Sequence, residues 1–431
     1  MTTELSPTTQ DIYATLEARG FIQDCTDVDG FRKLTAEESI SVYCGFDPTA
    51  DSLHIGSLVP IMGLVHFQRA GHRPVALVGG ATGMIGDPSG KNAERNLLDA
   101  ATIEKNVAGV RATLERYIDP ANSKVVNNAD WIGPMSFIAF LRDVGKNFRL
   151  GEMLGKDSVR KRLESEAGIS YTEFSYQLLQ AYDFKWLLEN EDCQVQCGGG
   201  DQWGNITAGI ELIRKTGGKS AFGITFPLLL TATGQKLGKT EAGAIWLDPA
   251  RTSVFDFYQY WVRSDDRDVE RFLKLFTFLP LGDIVEIAAE HQRDPGKRTG
   301  QKRLALEVTT LIHGEAEARK AAETSDAIYR KGVAEMSEDE LRQACANAPT
   351  VVLEARKLDG DGMTVIEALV AAGLASSNKD AKRLRAQGGI YLNDEPLAED
   401  KPTLTCADLL AGGAIVLRAG KKRYCLLKFE A

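Results

Sequence analysis

Two runs of β-forming residues, Ser41–Phe46 (SVYCGF) and residues 74–78 (PVALV), flank a segment in which Leu58, Met62 and Val65 recur at helical spacing until Gly71. Strand, helix and strand within about 40 residues form a βαβ unit, and that unit forces the two strands to run parallel. A parallel sheet needs helices on both faces, which is why its strands read as continuous apolar runs rather than alternating ones. Further strand-like runs at residues 194–197 and 226–230 continue the alternation to about Trp246, while residues 8–38 read as short helices. The expectation is an α/β, Rossmann-like parallel-sheet domain with its ligands outside the carboxyl ends of the strands.

Between Ser253 and Arg330 the period becomes helical. Phe255, Tyr258, Trp261 and Val262 share one face, Phe272, Leu275, Phe276 and Leu279 another, and residues 302–312 add a third segment. Residues 346–362 (ANAPTVVLEARKLDGDG) mix Pro, Gly and Asp without period and read as a linker. The expected division is therefore 1–250 Rossmann-like, 251–345 helical, 346–362 linker and 363–431 a small α/β unit.

Composition fits a globular chain: 431 residues, 43% hydrophobic and 26% charged. Residues 1–10 hold no apolar run, and no apolar stretch is long enough to cross a bilayer, so a cytoplasmic protein without membrane contact is expected. The seven cysteines are scattered without a CxxC pair and no HExxH occurs, so no metal site is expected. The net charge of −9 is uneven: residues 376–431 carry ten Lys and Arg against seven Asp and Glu, a local +3 on an otherwise acidic chain. An acidic body repels nucleic acid, whereas a basic tail gives it a local foothold.

Residues 47–57 (DPTADSLHIGS) join the first strand to a helix start, where backbone N–H groups favour anions. Thr49 and His54 add donors there, and Gly56 admits close approach. A capping histidine is the plainer reading of His54. Residues 79–95 (GGATGMIGDPSGKNAER) follow the second strand and bring Asp87, Lys91 and Arg95 to a strand's carboxyl end; an ordinary glycine-rich loop is the alternative. TGQKLGKT, at 233–240, is not a P-loop, because Thr233 stands where the first glycine must be. It is a glycine-hinged loop with Lys236 and Lys239, suited either to gripping phosphates or simply to solvent. Tyr176, Gln180 and Asp183 share one helix face, and with Tyr43, Gln196, Asp201 and Gln202 they make either a ligand site or an internal polar network. In the tail, Lys379, Lys382, Arg383 and Arg385 crowd one helix, and Lys421, Lys422 and Arg423 form a second cluster suited to a phosphate backbone or to water.

In this order the segments resemble the bacterial tyrosyl-tRNA synthetases, members of class I, over nearly the whole chain. YCGFDPTADSLHIGSL, GGATGMIGDPSGK, GGGDQWGNI and KLGKT carry the likeness. The resemblance implies that Tyr43 and Asp183 read a phenol hydroxyl, and that Asp87, Tyr176 and Gln180 hold an amino group. Gln196 and Gln202 complete the tyrosine site. Thr49 and His54 steady ATP phosphates, and Lys91, Arg95, Lys236, Lys239 and Thr240 grip pyrophosphate. Cys44, Asp47, Gly56, Ser57, Asp201 and Lys239 attend the nucleotide. It implies ATP as substrate with Mg²⁺ accompanying it, tRNA(Tyr) and L-tyrosine as partners, and a C-terminal RNA-binding module of ribosomal-protein type. It also implies a homodimer, for which the aromatic helix at 131–148 and Tyr171 are candidate contacts. Ser57 and Gly200 depart from the usual His and Ser of the family signatures.

The implied reaction joins tyrosine to ATP as tyrosyl-adenylate, releases pyrophosphate and passes tyrosine to tRNA. A different adenylate-forming enzyme on this fold would not need Tyr43 with Asp183. An inactive RNA-binding relative would be expected to lose Lys236 or Lys239, and both are present.

Overall fold

The computed structural model describes residues 11–89, 98–164, 168–240, 243–330, 333–345, 348–398, 400–420 and 423–430, and the side chains of Lys239 and Thr240 also fall outside that description. The chain forms two compact bodies: Met1–Ser253 with Tyr260–His313, and Val254–Gln259 with Gly314–Ala431.

The first body is built on a six-stranded sheet of β1 (Asp24–Cys25), β2 (Ser41–Phe46), β3 (Arg73–Val78), β4 (Lys124–Asn127), β5 (Cys193–Gly199) and β6 (Phe222–Phe226). Their spatial order is β1-β6-β5-β2-β3-β4. The five strands β2 to β6 pair in parallel, and only the edge strand β1 runs antiparallel to β6. The chain winds from β2 to β3 and β4 on one side and from β5 to β6 on the other. The order thus reverses between β2 and β5, and at such a reversal the connections diverge and leave a crevice. Helix Leu58–Arg69 packs so closely on the sheet that a Cβ at Gly63 would come within 2.5 Å of the Phe226 ring.

The strand expected at 226–230 is displaced: β6 is FGITF, and only Phe226 is shared. Pro227 cannot donate to a ladder flanked on both sides. Leu228 and Leu230 beyond it are exposed, so that apolar run is not core. The two edge strands, β1 and β4, were not expected, being too short to show a period. The expected single helix at 131–148 is broken into Ala129–Ile132, Phe137–Asp143 and a 3₁₀ turn at Gly145–Asn147, with Pro134 at the first break.

The expected helical domain 251–345 is divided. Helices Val269–Phe276, Leu281–Arg293 and Thr299–His313 belong to the first body, and Glu315–Arg330 and Glu338–Ala344 to the second. The linker reading of 346–362 also gives way. Thr350–Glu354 is a strand that pairs in parallel with the last strand, Arg423–Glu430. It lies at a sheet edge with alternating burial, and its neighbouring Pro349 and acidic residues masked that alternation. The rest of this five-stranded sheet is antiparallel, with Ala414–Ala419 and Ile390–Leu392 next in order. Helices Val365–Ala371 and Asn378–Ala386 accompany it, and Val365, Leu369, Ile390, Leu417 and Leu427 are core.

Candidate active site

A cavity of about 260 Å³ opens at the carboxyl ends of β2, β3 and β5, at the reversal of strand order. Tyr43, Cys44 and Asp47 reach it from β2 and its following loop, and Gln196 from β5. Asp201 and Gln202 come from the 3₁₀ turn after β5, and Asp87 from the glycine-rich loop after β3. Helix Tyr171–Glu191 spans 21 residues and supplies Tyr176, Gln180 and Asp183 at their shared spacing.

The innermost end is defined by Asp183, which is 2% exposed. The Trp131 indole donates to its Oδ1 at 2.8 Å and the Asn128 amide to its Oδ2 at 3.0 Å. Burial pushes this carboxyl up to about 7; the bonds from Asn128 and Trp131 pull against that, and the charge of Asp47 adds to it. Tyr43 lies on the same wall, packed on the Phe184 ring at 5.3 Å. Its hydroxyl is buried without a hydrogen-bond partner. Burial, then the nearby Asp183 charge, holds its phenol well above the usual tyrosine range. The Gln196 Oε1 is a second unpartnered buried acceptor in the same lining.

A second set of polar groups lines the same cavity. Gln202 Nε2 donates to Asp87 Oδ2 at 2.7 Å, and Asn205 Nδ2 donates to Gln180 Oε1 at 2.9 Å. Tyr176 donates its hydroxyl to Asp47 Oδ1 at 3.2 Å. Burial first, then Asp47 and Asp87, raises the Tyr176 phenol as well. This leaves acceptor oxygens on Asp87, Gln180 and Tyr176, a set suited to an ammonium group.

The remaining expected residues fall in three groups. Thr49, His54, Gly56 and Ser57 sit in the loop and 3₁₀ turn leading from β2 to helix Leu58–Arg69, outside the cavity lining. His54 caps that turn, its Nδ1 accepting from the Gly56 N–H at 2.9 Å. Ile55 N–H donates to Ile245 O and Leu247 N–H to Leu53 O, so this segment is paired with the chain just beyond the lysine loop. Lys236 is exposed on that loop. Gly238 there has φ +78° and approaches Gly56 so nearly that its Cβ would lie 3.1 Å from the Gly56 nitrogen. Lys91 and Arg95, with Lys421 and Lys422, lie outside the described residues. In the second body, Lys379 and Lys382 are exposed on helix Asn378–Ala386, Arg383 pairs with Asp380 at 2.7 Å, and Arg385 donates to the Lys401 carbonyl. Arg423 donates to the Leu374 carbonyl.

Sequence reasoning missed Asn128, Trp131 and Asn205, which fix the polar groups of the cavity. Asn128 follows β4, so recognising that short edge strand would have placed it at a strand's carboxyl end. Asn205 stands in the first turn of helix Trp203–Lys215, and the GGGDQWGNI segment that contains it was the signal that could have found it.

Comparison with known proteins gives the family. The family model "tRNA synthetases class I (W and Y)" matches residues 35–330, and "Tyrosine--tRNA ligase SYY-like C-terminal domain" matches 340–427. A tyrosine--tRNA ligase of Rhodopirellula baltica is 48% identical over 99% of this chain and 98% of its own length. One of Bacillus caldotenax is 50% identical over 97% of this chain and 100% of its own. Among solved structures, a C-terminally truncated mitochondrial tyrosyl-tRNA synthetase of Coccidioides posadasii matches with TM-score 0.65 and 37% identity, covering 73% of this chain and 91% of that one. With two domain models in sequence and near-complete coverage of relatives at about half identity, the chain belongs to the bacterial tyrosyl-tRNA synthetases of class I.

Proposed function

We propose that the cavity between β2 and β5 holds L-tyrosine with its phenol against Tyr43 and Asp183 while its carboxylate meets ATP. The chain is a tyrosine–tRNA ligase: it activates L-tyrosine with ATP to tyrosyl-adenylate and pyrophosphate, then transfers tyrosine to the 3′ end of tRNA(Tyr). The observation that carries the site assignment is the unpartnered Tyr43 hydroxyl beside an Asp183 carboxylate already fixed by two donors. A phenol can donate to Asp183 and accept from Tyr43 at once. Phenylalanine would leave the Tyr43 hydroxyl unpaired and deny Asp183 its third donor, and tyrosine against phenylalanine is a standard illustration of that asymmetry.

In this reading Asp87, Tyr176 and Gln180 receive the substrate ammonium, while Gln196 and Gln202 close the tyrosine site. The carboxylate attacks the α-phosphorus and pyrophosphate leaves, so the step requires no protein nucleophile. Its demands are alignment and neutralisation of charge growing on the leaving group. Thr49, His54, Lys91, Arg95, Lys236, Lys239 and Thr240 supply donors and cations for that charge. Cys44, Asp47, Gly56, Ser57 and Asp201 attend the nucleotide. Magnesium arrives with ATP as the nucleotide's own counter-ion; among the described residues no group of three or more His, Cys, Asp or Glu could hold a metal ion.

Lys379, Lys382, Arg383, Arg385, Lys421, Lys422 and Arg423 are the proposed tRNA contacts. A homodimer is proposed on the exposed apolar residues Phe137, Ile138, Leu150 and Tyr171, each more than half exposed in the isolated chain. The cytoplasm is the proposed compartment; no described helix is long and apolar enough to cross a membrane. ATP–pyrophosphate exchange driven by tyrosine, phenylalanine and tryptophan in turn tests the reading. Tyrosine alone should drive exchange efficiently, and equal exchange with phenylalanine would overturn the assignment of the cavity.

A further inference from the structure

His54 is a short-range capping residue whose ring is bonded to its own turn. The Nδ1 accepts from the Gly56 N–H at 2.9 Å, which leaves Nε2 as the nitrogen that carries a proton in the neutral ring. For that N–H to serve a phosphate, the plane of the ring must be held.

The neighbouring elements hold it. His54 forms an antiparallel bridge with Trp246, flanked by the bonds from Ile55 N–H to Ile245 O at 2.9 Å and from Leu247 N–H to Leu53 O at 2.8 Å. Across the bridge the indole meets the imidazole edge-on, with centroids 6.1 Å apart and planes at 71°. Edge-to-face rings at this distance attract through their quadrupoles, so the pair prefers one mutual orientation. The indole is itself fixed: the Arg251 guanidinium lies 3.5 Å from the centre of its ring. Arg251 in turn donates to Asp51 Oδ1 at 2.7 Å, and Lys105 reaches the other oxygen of Asp51 at 3.2 Å. The turn that presents Arg251 is closed by the Trp246 N–H, which donates to Thr252 Oγ1 at 2.9 Å. A cation held over an indole face is a favourable contact even at a partly exposed site. Asp51, Lys105, Arg251 and Trp246 thus form a buttress that ends on the His54 ring.

We propose that Trp246 and Arg251 are positioning residues for adenylate formation, acting only through the His54 imidazole. This rests on the reading of His54 as a phosphate donor. Neither residue lines the tyrosine cavity, so tyrosine binding is untouched. Because the same ladder carries the chain emerging from the lysine loop, the buttress also ties His54 to the register of that loop.

The test is a double-mutant cycle between Trp246→Leu and His54→Asn, read as the single-turnover rate of pyrophosphate release and as tyrosine affinity by equilibrium dialysis. Trp246→Leu should slow the step by roughly threefold to tenfold, the range of an aromatic pair contact, with tyrosine affinity unchanged. Trp246→Phe keeps an aromatic edge and should recover most of the rate. Arg251→Gln, a change at a half-exposed side chain that leaves the core intact, should slow the step less but in the same way. In the His54→Asn background, Trp246→Leu should cost nothing further. Additive losses would overturn the relay while leaving His54 as a phosphate donor. A His54→Asn enzyme with normal rate would overturn both. A fall in tyrosine affinity in Trp246→Phe or Arg251→Gln would mean that these residues act through the fold at large.

Discussion

The Trp131 indole N–H points at Asp183 and donates to its Oδ1 at 2.8 Å, from the far side of the carboxylate that faces the cavity. Trp131 is stacked on Trp186 with ring centres 4.1 Å apart and planes 8° from parallel, so its N–H direction is set by packing. Trp131→Phe should therefore keep the stack and lose the donor. A hydrogen bond to a charged group contributes about 1.5–3 kcal/mol, so tyrosine affinity at neutral pH should fall about tenfold or more. The activation rate at saturating tyrosine should change far less. Equilibrium binding with single-turnover kinetics separates the two, and a variant with normal affinity and a slow chemical step would contradict the role.

Burial raises the Asp183 carboxyl to about 7, above the ordinary aspartate value of about 4 that it has when unfolded. The native state then holds this proton more tightly than the unfolded chain does. Its contribution to stability is greatest below the unfolded value, falls as pH rises towards about 7, and changes no further above it. In the tyrosine-free enzyme, wild type should lose Tm relative to Asp183→Asn as pH is raised from about 5 to about 7.5. No change in that difference across the range would mean the native carboxylate is ionised throughout.

How much of this could be read beforehand depended on the period. The Tyr176, Gln180 and Asp183 face was legible because a long helix repeats itself, and β2 because a buried parallel strand is a near-continuous apolar run; β5, CQVQCGG, showed only as a short strand-like run because two glutamines interrupt it. Asn128 and Trp131 were not, since β4 has four residues and Pro134 interrupts the helix after it. The run at 226–230 was misplaced because apolar character alone does not distinguish β6 from an exposed turn. Thr350–Glu354 was hidden because its partner, Arg423–Glu430, is about 75 residues away, and long-range pairing leaves no local mark.

That pairing also moves the place where the tail is cut. A chain ending at residue 330 keeps the whole class I match and removes every strand of the C-terminal sheet. It should retain tyrosine-dependent pyrophosphate exchange at close to the normal rate but charge tRNA poorly. In the intact enzyme the tail's share of tRNA affinity should weaken steeply with salt, because each phosphate contact releases counterions. Parallel loss of exchange and charging would make the tail part of the catalytic fold, and normal charging would leave its basic helix without an RNA role.

The central claim is that Tyr43 and Asp183 together read the phenol hydroxyl. It is tested most directly by the ratio of kcat/KM for tyrosine to that for phenylalanine in pyrophosphate exchange, measured for wild type and Tyr43→Phe. Tyr43 is 1% exposed and its hydroxyl has no other partner, so the substitution removes one hydrogen bond with little change of packing. A bond of that kind, about 0.5–1.5 kcal/mol between neutral groups, should lower the ratio by roughly twofold to tenfold, chiefly through tyrosine. A ratio unchanged from wild type, with both enzymes folded and active, would contradict the account.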